Sequence, residues 1–225
     1  TGGFILGLAI DSMNNIYACD SANQCVQKIT PNGNVTEYST GTVREPLTCP
    51  NYPAFDNEGN LYVCDSGDWK ADNGLLYKIK PGGESEVWNR DLCTFPNGLC
   101  FGPDDSSLYV AMSLNPPRVD RIRIDSDGGA GEINTVVEFP GTVPDGVAFD
   151  LDGNLYTSMY RPDIIYRCTP SGQTEVVAED YQGTLIAAPT NIAFCGENRD
   201  FLLGTNLGRW HITRYEIGTT GLPIH

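Results

Sequence analysis

Short apolar runs alternate along this chain with clusters of Gly, Pro, Asn and Asp. The runs show strand-like alternation, as in Leu76-Tyr77-Lys78-Ile79-Lys80, and none sustains the spacing of an amphipathic helix. The pattern predicts an all-β protein with helix content near zero. The runs also come in matched sets: residues 7–11 with 15–20, 50–56 with 59–65, 96–101 with 107–111, 144–150 with 153–157, and 189–194 with 201–204. Four sets open on a proline, at 50, 96, 144 and 189, in steps of 46, 48 and 45. A period of this size is that of a β-propeller blade, one four-stranded antiparallel sheet per repeat. Each set reads as strand one, a tight turn such as Asp150-Leu151-Asp152-Gly153-Asn154, and strand two. A third strand, a Pro-x-Gly turn (Pro31-Asn32-Gly33, Pro81-Gly82-Gly83, Pro170-Ser171-Gly172) and a closing fourth strand follow.

Five repeats account for nearly all of residues 1–225, which predicts a single β-propeller domain. The fifth lacks a clear fourth strand, and Thr213-Arg214-Tyr215-Glu216-Ile217 reads as its third. Small residues at one strand-one position (Ala9, Ala54, Cys100, Ala148, Ala193) are expected to be equivalent and buried near the axis. Composition sharpens the picture. With 14 Lys and Arg against 29 Asp and Glu, the net charge is −15. So acidic a protein repels phosphates, which argues against nucleic acid or an anionic membrane as partner. No apolar stretch approaches the roughly 18 residues of a membrane helix. Eight cysteines form no CxxC pair, and several lie inside apolar runs. They are expected to be reduced thiols behaving as small hydrophobes, with Cys49 and Cys93 the least strand-like. Cys19 and Cys64, in diverging blades, should not be bridged. Reduced thiols and the lack of a signal-peptide pattern lean to the cytoplasm without fixing the compartment, and a monomer is expected.

Candidate chemistry follows from the repeat. Asn51, Asn97, Asp145 and Thr190 occupy the start of strand one in successive repeats. Asp20, Asp65, Met112 and Met159 occupy the end of strand two, at the same mouth of the blade. A ring of oxygen donors suits a hard cation. The same residue types before a strand also stabilise turns, which taken singly is the commoner role. Asp20 and Asp65 read as solvated turn carboxylates or as groups behind the ring. Trp69, Trp88 and Trp210 read as packing, and His211 as a satisfied strand residue. No GxSxG elbow surrounds Ser113.

The strings Pro96-Asn97-Gly98-Leu99-Cys100-Phe101 and Pro144-Asp145-Gly146-Val147-Ala148-Phe149-Asp150, with the closing Gly218-Thr219-Thr220-Gly221-Leu222-Pro223, resemble the gluconolactonase/regucalcin (senescence marker protein) family. The resemblance implies a six-bladed propeller with one divalent cation, calcium first, and magnesium, manganese or zinc as alternatives. It assigns metal ligation to Asn97 and Asp145, proton transfer to Asp145, and substrate hydroxyls to Asn51. It implies a metal-dependent hydrolase of sugar lactones. The family's Glu ligand, in its first blade, has no counterpart here, so that blade is missing, the site is rebuilt, or it is lost. Two other readings stand beside this one: a non-catalytic interaction propeller, and a propeller enzyme of other chemistry, such as a lyase or a strictosidine-synthase-like enzyme.

Overall fold

The computed structural model describes residues 1–224. Among them lie nineteen strands and no helix, in five antiparallel meanders, the blades of a β-propeller. Blade 1 comprises β1 (Ile5–Ile10), β2 (Ile16–Asp20), β3 (Cys25–Ile29) and β4 (Val35–Ser39). Blade 2 comprises β5 (Pro50–Phe55), β6 (Leu61–Asp65), β7 (Leu75–Ile79) and β8 (Ser85–Asn89). Blade 3 comprises β9 (Pro96–Phe101), β10 (Ser107–Met112), β11 (Arg118–Ile124) and β12 (Ala130–Glu138). Blade 4 comprises β13 (Val143–Phe149), β14 (Leu155–Arg161), β15 (Ile164–Cys168) and β16 (Thr174–Glu179). The fifth sheet has three strands, β17 (Pro189–Cys195), β18 (Phe201–Asn206) and β19 (His211–Tyr215), the last beginning two residues before the predicted third strand.

The turn joining strands one and two repeats one piece of chemistry. Asp150 Oδ1 accepts the amides of Asp152 (3.0 Å) and Asn154 (2.8 Å), while Oδ2 accepts Asn154 Nδ2 (2.8 Å) and the Tyr156 hydroxyl (3.1 Å). Asp56 clasps Glu58 and Asn60, and Asp11 clasps Met13, Asn15 and Tyr17, in the same way. The position before each Asn has positive φ, 82° at Gly59, 80° at Gly153 and 60° at Asn14, hence Gly or Asn there. The repeated grammar of Asp, Gly or Asn, and Asn is therefore one hydrogen-bonded clasp built three times, joined by the strand-two tyrosine hydroxyl at Asp11 and Asp150.

Residue contacts divide the chain into two units, one chiefly Thr1–Leu99 with Asp125–Ala130, the other Cys100–Ile124 with Gly131–Pro223. In the first, Tyr17, Cys19 and Val26 of blade 1 pack against Phe55, Leu61, Val63, Tyr77 and Ile79 of blade 2. In the second, Ala111 and Val119 pack against Val147, Phe149, Leu155 and Met159, and Tyr156 and Ile165 against Ile192 and Leu202. Within each unit a strand-two tyrosine meets the next blade's strand-one phenylalanine edge to face. The pairs are Tyr17–Phe55 (4.9 Å, 84°), Tyr109–Phe149 (4.7 Å, 78°) and Tyr156–Phe194 (5.4 Å, 86°). Such a pair contributes about 0.5–1.5 kcal/mol beyond area burial.

The small strand-one residues are equivalent, since Ala9, Ala54 and Ala148 pair with Tyr17, Tyr62 and Tyr156, and Ala193 with Leu203. They are not fully buried, contrary to the sequence expectation. Ala9, Ala54, Cys100 and Ala148 are half-buried and Ala193 is exposed. The alternation of the strand gives the deep positions to their neighbours, such as Val147 (2 %) and Phe149 (7 %). All eight cysteines are free, Cys49 and Cys93 included. Trp88 is buried, whereas Trp69 and Trp210 are exposed. His211 is half-buried, with its Nε2 on the Leu185 carbonyl at 3.0 Å.

Candidate functional site

The ring position lies where strand one is irregular. In blade 2 Pro50 pairs with Asp65 and Tyr52 with Cys64, so Asn51 is the extra residue of a β-bulge. The register breaks at the same place in blade 4, between Pro144 and Val147, and in blade 5, between Pro189 and Ile192. A bulge re-aims the side chain it carries, which is why such kinks recur beside functional sites. The equivalent residue of blade 1 is Leu6, from the pairing of Ile5 with Asp20, so that repeat offers no oxygen there.

In the first unit, Asn51 and Asn97 are both buried, at 8 % and 5 % exposure. Asn51 Nδ2 donates to Ser66 Oγ (2.9 Å), which donates to the Pro96 carbonyl (2.7 Å), one residue before Asn97. Ser66 therefore ties the start of β9 to the Asn51 side chain. Asp20 and Asp65 are not solvated, at 0 % and 2 % exposure. Asp65 accepts the amides of Thr48 (2.5 Å), Cys49 (2.7 Å) and Gly67 (3.1 Å). Asp20 accepts the Phe4 amide (3.0 Å), both nitrogens of Asn23, and Gln27 Nε2 (3.0 Å). Each carboxylate fastens the end of strand two to the segment entering strand one. Burial raises the Asp65 carboxyl above its ordinary pKa despite three backbone donors. In Asp20 burial pushes the same way, but the donors from Asn23 and Phe4 outweigh it and the pKa falls below its ordinary value.

In the second unit, Asp145 is 9 % exposed. Ser113 Oγ donates to the Pro144 carbonyl (2.6 Å), just before it. Ser158 Oγ accepts the Gly146 amide (3.0 Å) and bonds the Thr190 carbonyl of the next strand one. A Cβ on Gly146 would lie 2.7 Å from the Thr190 carbonyl oxygen, so close approach of β17 dictates glycine after Asp145. Thr190 is half-buried, and its hydroxyl meets that of Thr205 (2.7 Å), which also accepts the Asn191 amide (3.0 Å). Asn206 holds the Ala187 amide (2.8 Å), as Asp65 holds that of Thr48.

Sequence reasoning missed the serines. Ser66, Ser113 and Ser158 each bond a carbonyl at the start of the following blade's first strand. The signal was available, since Ser66 and Ser113 directly follow the strand-two ends at Asp65 and Met112. Asn97 and Asp145 supply an amide and a carboxylate, donors of the kind hard cations take. No group of three or more His, Cys, Asp and Glu side chains suited to a metal occurs among the described residues.

A family model described as the SMP-30/Gluconolactonase/LRE-like region matches residues 38–206, and an NHL repeat model matches residues 3–29. A gluconolactonase of Zymomonas mobilis is 26% identical over 190 residues, covering 74% of this chain and 52% of that protein. The chain spans about half the length of the curated relatives it matches. A gluconolactonase structure from Xanthomonas campestris superposes with a TM-score of 0.79 at 19% identity, over 95% of this chain and 72% of that one. A calcium-binding regucalcin from Agrobacterium tumefaciens superposes with a TM-score of 0.78 at 18% identity, over 99% and 79%.

Proposed function

Because the chain belongs to the SMP-30/gluconolactonase/LRE-like family, we propose that it is a cation-dependent lactonase acting on sugar lactones. One observation carries the reading. Within the matched region, Asn51, Asn97 and Asp145 hold the same position in three consecutive repeats, directly after the strand-one prolines Pro50, Pro96 and Pro144. Bulges at Asn51 and Asp145 support a role in display. The gluconolactonase and regucalcin relatives support the substrate class and the cation.

In this reading Asn97 and Asp145 hold a hard divalent cation, calcium first. When bound, it supplies Lewis acidity at the lactone carbonyl and lowers the pKa of water. Water adds to the carbonyl carbon, the ring C–O bond breaks, and a hydroxy acid leaves. Asp145 takes the proton of that water and returns it to the departing ring oxygen. Asn51, fixed by Ser66, hydrogen-bonds the sugar hydroxyls and orients the ring. The test is titration of acid released from a panel of aldonolactones with calcium present. Saturable turnover above the spontaneous rate is expected, with KM raised in Asn51→Ala. A panel left at its spontaneous rate would overturn the lactonase reading and favour a binding propeller.

A further inference from the structure

A cleft of about 580 Å³ opens in the second unit. The β14–β15 turn (Arg161 to Asp163), the end of β16 (Glu179), Asp180 to Gly183, Ala187 with Ala188, and Gly208 with Arg209 after β18 form its walls. It adjoins the strand-one starts that carry Asp145 and Thr190, since Arg161 pairs with Val143 and Ala188 directly precedes β17. Its volume lies within the range of small-molecule sites, roughly 300–1,000 Å³.

The frame of the cleft is locked by hydrogen bonds. Asp180 accepts the amides of Gln182 (3.0 Å), Gly183 (3.1 Å), Thr184 (2.8 Å), Leu185 (2.7 Å) and Ile186 (3.2 Å). Asp163 Oδ1 accepts the Ala188 amide (2.7 Å) and Arg161 Nη1 (2.9 Å). Arg209 Nε donates to the Gly183 carbonyl (3.0 Å). The side chains of Glu179, Tyr181 and Gln182, in contrast, make no hydrogen bond or ion pair among the described residues. Tyr181 is fully exposed. So the framing groups are committed, and the groups able to meet a ligand are not.

The chemistry of these groups selects the ligand. The charges of Arg161 and Arg209 offset those of Asp163 and Asp180 within the frame, which leaves the carboxylate of Glu179, the amide of Gln182 and the phenol of Tyr181 to meet a ligand. Donors and acceptors lie side by side, the pattern that vicinal hydroxyls complement, because each hydroxyl both donates and accepts. The Tyr181 ring adds a flat apolar face for the C–H surface of a pyranose.

We propose that this cleft is an outer subsite for a neutral sugar unit, which extends the substrate class to lactones bearing a glycosyl arm. The link to a lactone rests on the lactonase reading; the sugar site rests on the cleft alone. The test has two arms on the whole chain. In the first, calorimetry and saturation-transfer NMR measure binding of cellobiose, maltose and lactose to the parent, Tyr181→Ala and Glu179→Gln, with circular dichroism confirming the fold. At least one disaccharide is expected to bind, and each variant to lose roughly five- to tenfold in affinity, the scale of truncating a contact residue. In the second, kcat/KM is compared for gluconolactone and cellobionolactone. The parent is expected to prefer the longer lactone, and Tyr181→Ala to lose that preference while keeping gluconolactone turnover. Disaccharide binding without any lactone turnover supports the subsite and overturns the lactonase. Turnover without disaccharide binding, or binding unchanged in both variants, overturns the subsite.

Discussion

Replacing Ser66 by alanine removes one oxygen that serves two partners. The side chain is fully buried, accepts from Asn51 Nδ2 at 2.9 Å and donates to the Pro96 carbonyl at 2.7 Å. A typical hydrogen bond contributes about 1 kcal/mol net, and a buried group left unsatisfied costs about 1–3 kcal/mol. With both partners at the start of a first strand and little room to relax, the expected loss is about 2–3 kcal/mol. For a chain of this size each kcal/mol moves Tm by about 2–4 °C, so a drop of roughly 4–12 °C is expected. Urea unfolding followed by tryptophan fluorescence gives the free energy directly, and a parallel kinetic assay should show KM rising, because Asn51 is no longer held. Stability within about 0.5 kcal/mol of the parent, the scale of a neutral surface change, would refute the claim that this serine fastens β9 to the Asn51 position.

Two further outcomes follow from the clasps. Asp150→Ala orphans four donors around a buried Tyr156 and should cost about 3 kcal/mol, against about 1 kcal/mol for Asp11→Ala in its more exposed turn; equal losses by urea titration would contradict the burial argument. Backbone donors from Leu185, Ile186 and Thr184 hold the Asp180 carboxyl well below the usual carboxylate range. A depressed native pKa gives loop stability that is complete above the unfolded value, about 3.9, and is lost as pH falls through the native one. Amide exchange of residues 182–186 should therefore stay fully protected from neutrality to about pH 4 and lose protection progressively as pH falls on toward the native value, while Asp180→Asn should expose those amides already at neutral pH; unchanged protection in that variant would count against the loop assignment.

The fold was legible because the blade grammar is local. Asp150, Gly153, Asn154 and Tyr156 stand within one turn of each other, and each makes its contact inside that turn. What lay between blades was not legible. Val147 and Phe149 are buried because Ala111 and Tyr109 lie beside them, yet Leu8 and Ile10, at the same positions of blade 1, are 52 % and 45 % exposed. No local pattern reports which element lies beside a strand. Of the two readings open for Asp20 and Asp65, solvated turn carboxylates or groups behind the ring, the solvated one fails although a carboxylate after a strand usually is solvated. Their partners, Phe4, Thr48 and Cys49, lie sixteen or seventeen residues back in the chain. The candidate site was legible as a repeated position, and the serines that fix it were passed over because Ser is common in turns.

The central claim is that Asp145 carries the charge that holds the cation. Calorimetric titration of calcium into the parent and into Asp145→Ala, with lactone turnover measured on the same samples, tests it most directly. The parent should bind calcium saturably and open a lactone, and the variant should lose both together, since it lacks the charged member of the pair Asn97 and Asp145. Calcium bound as tightly by Asp145→Ala as by the parent would contradict the account.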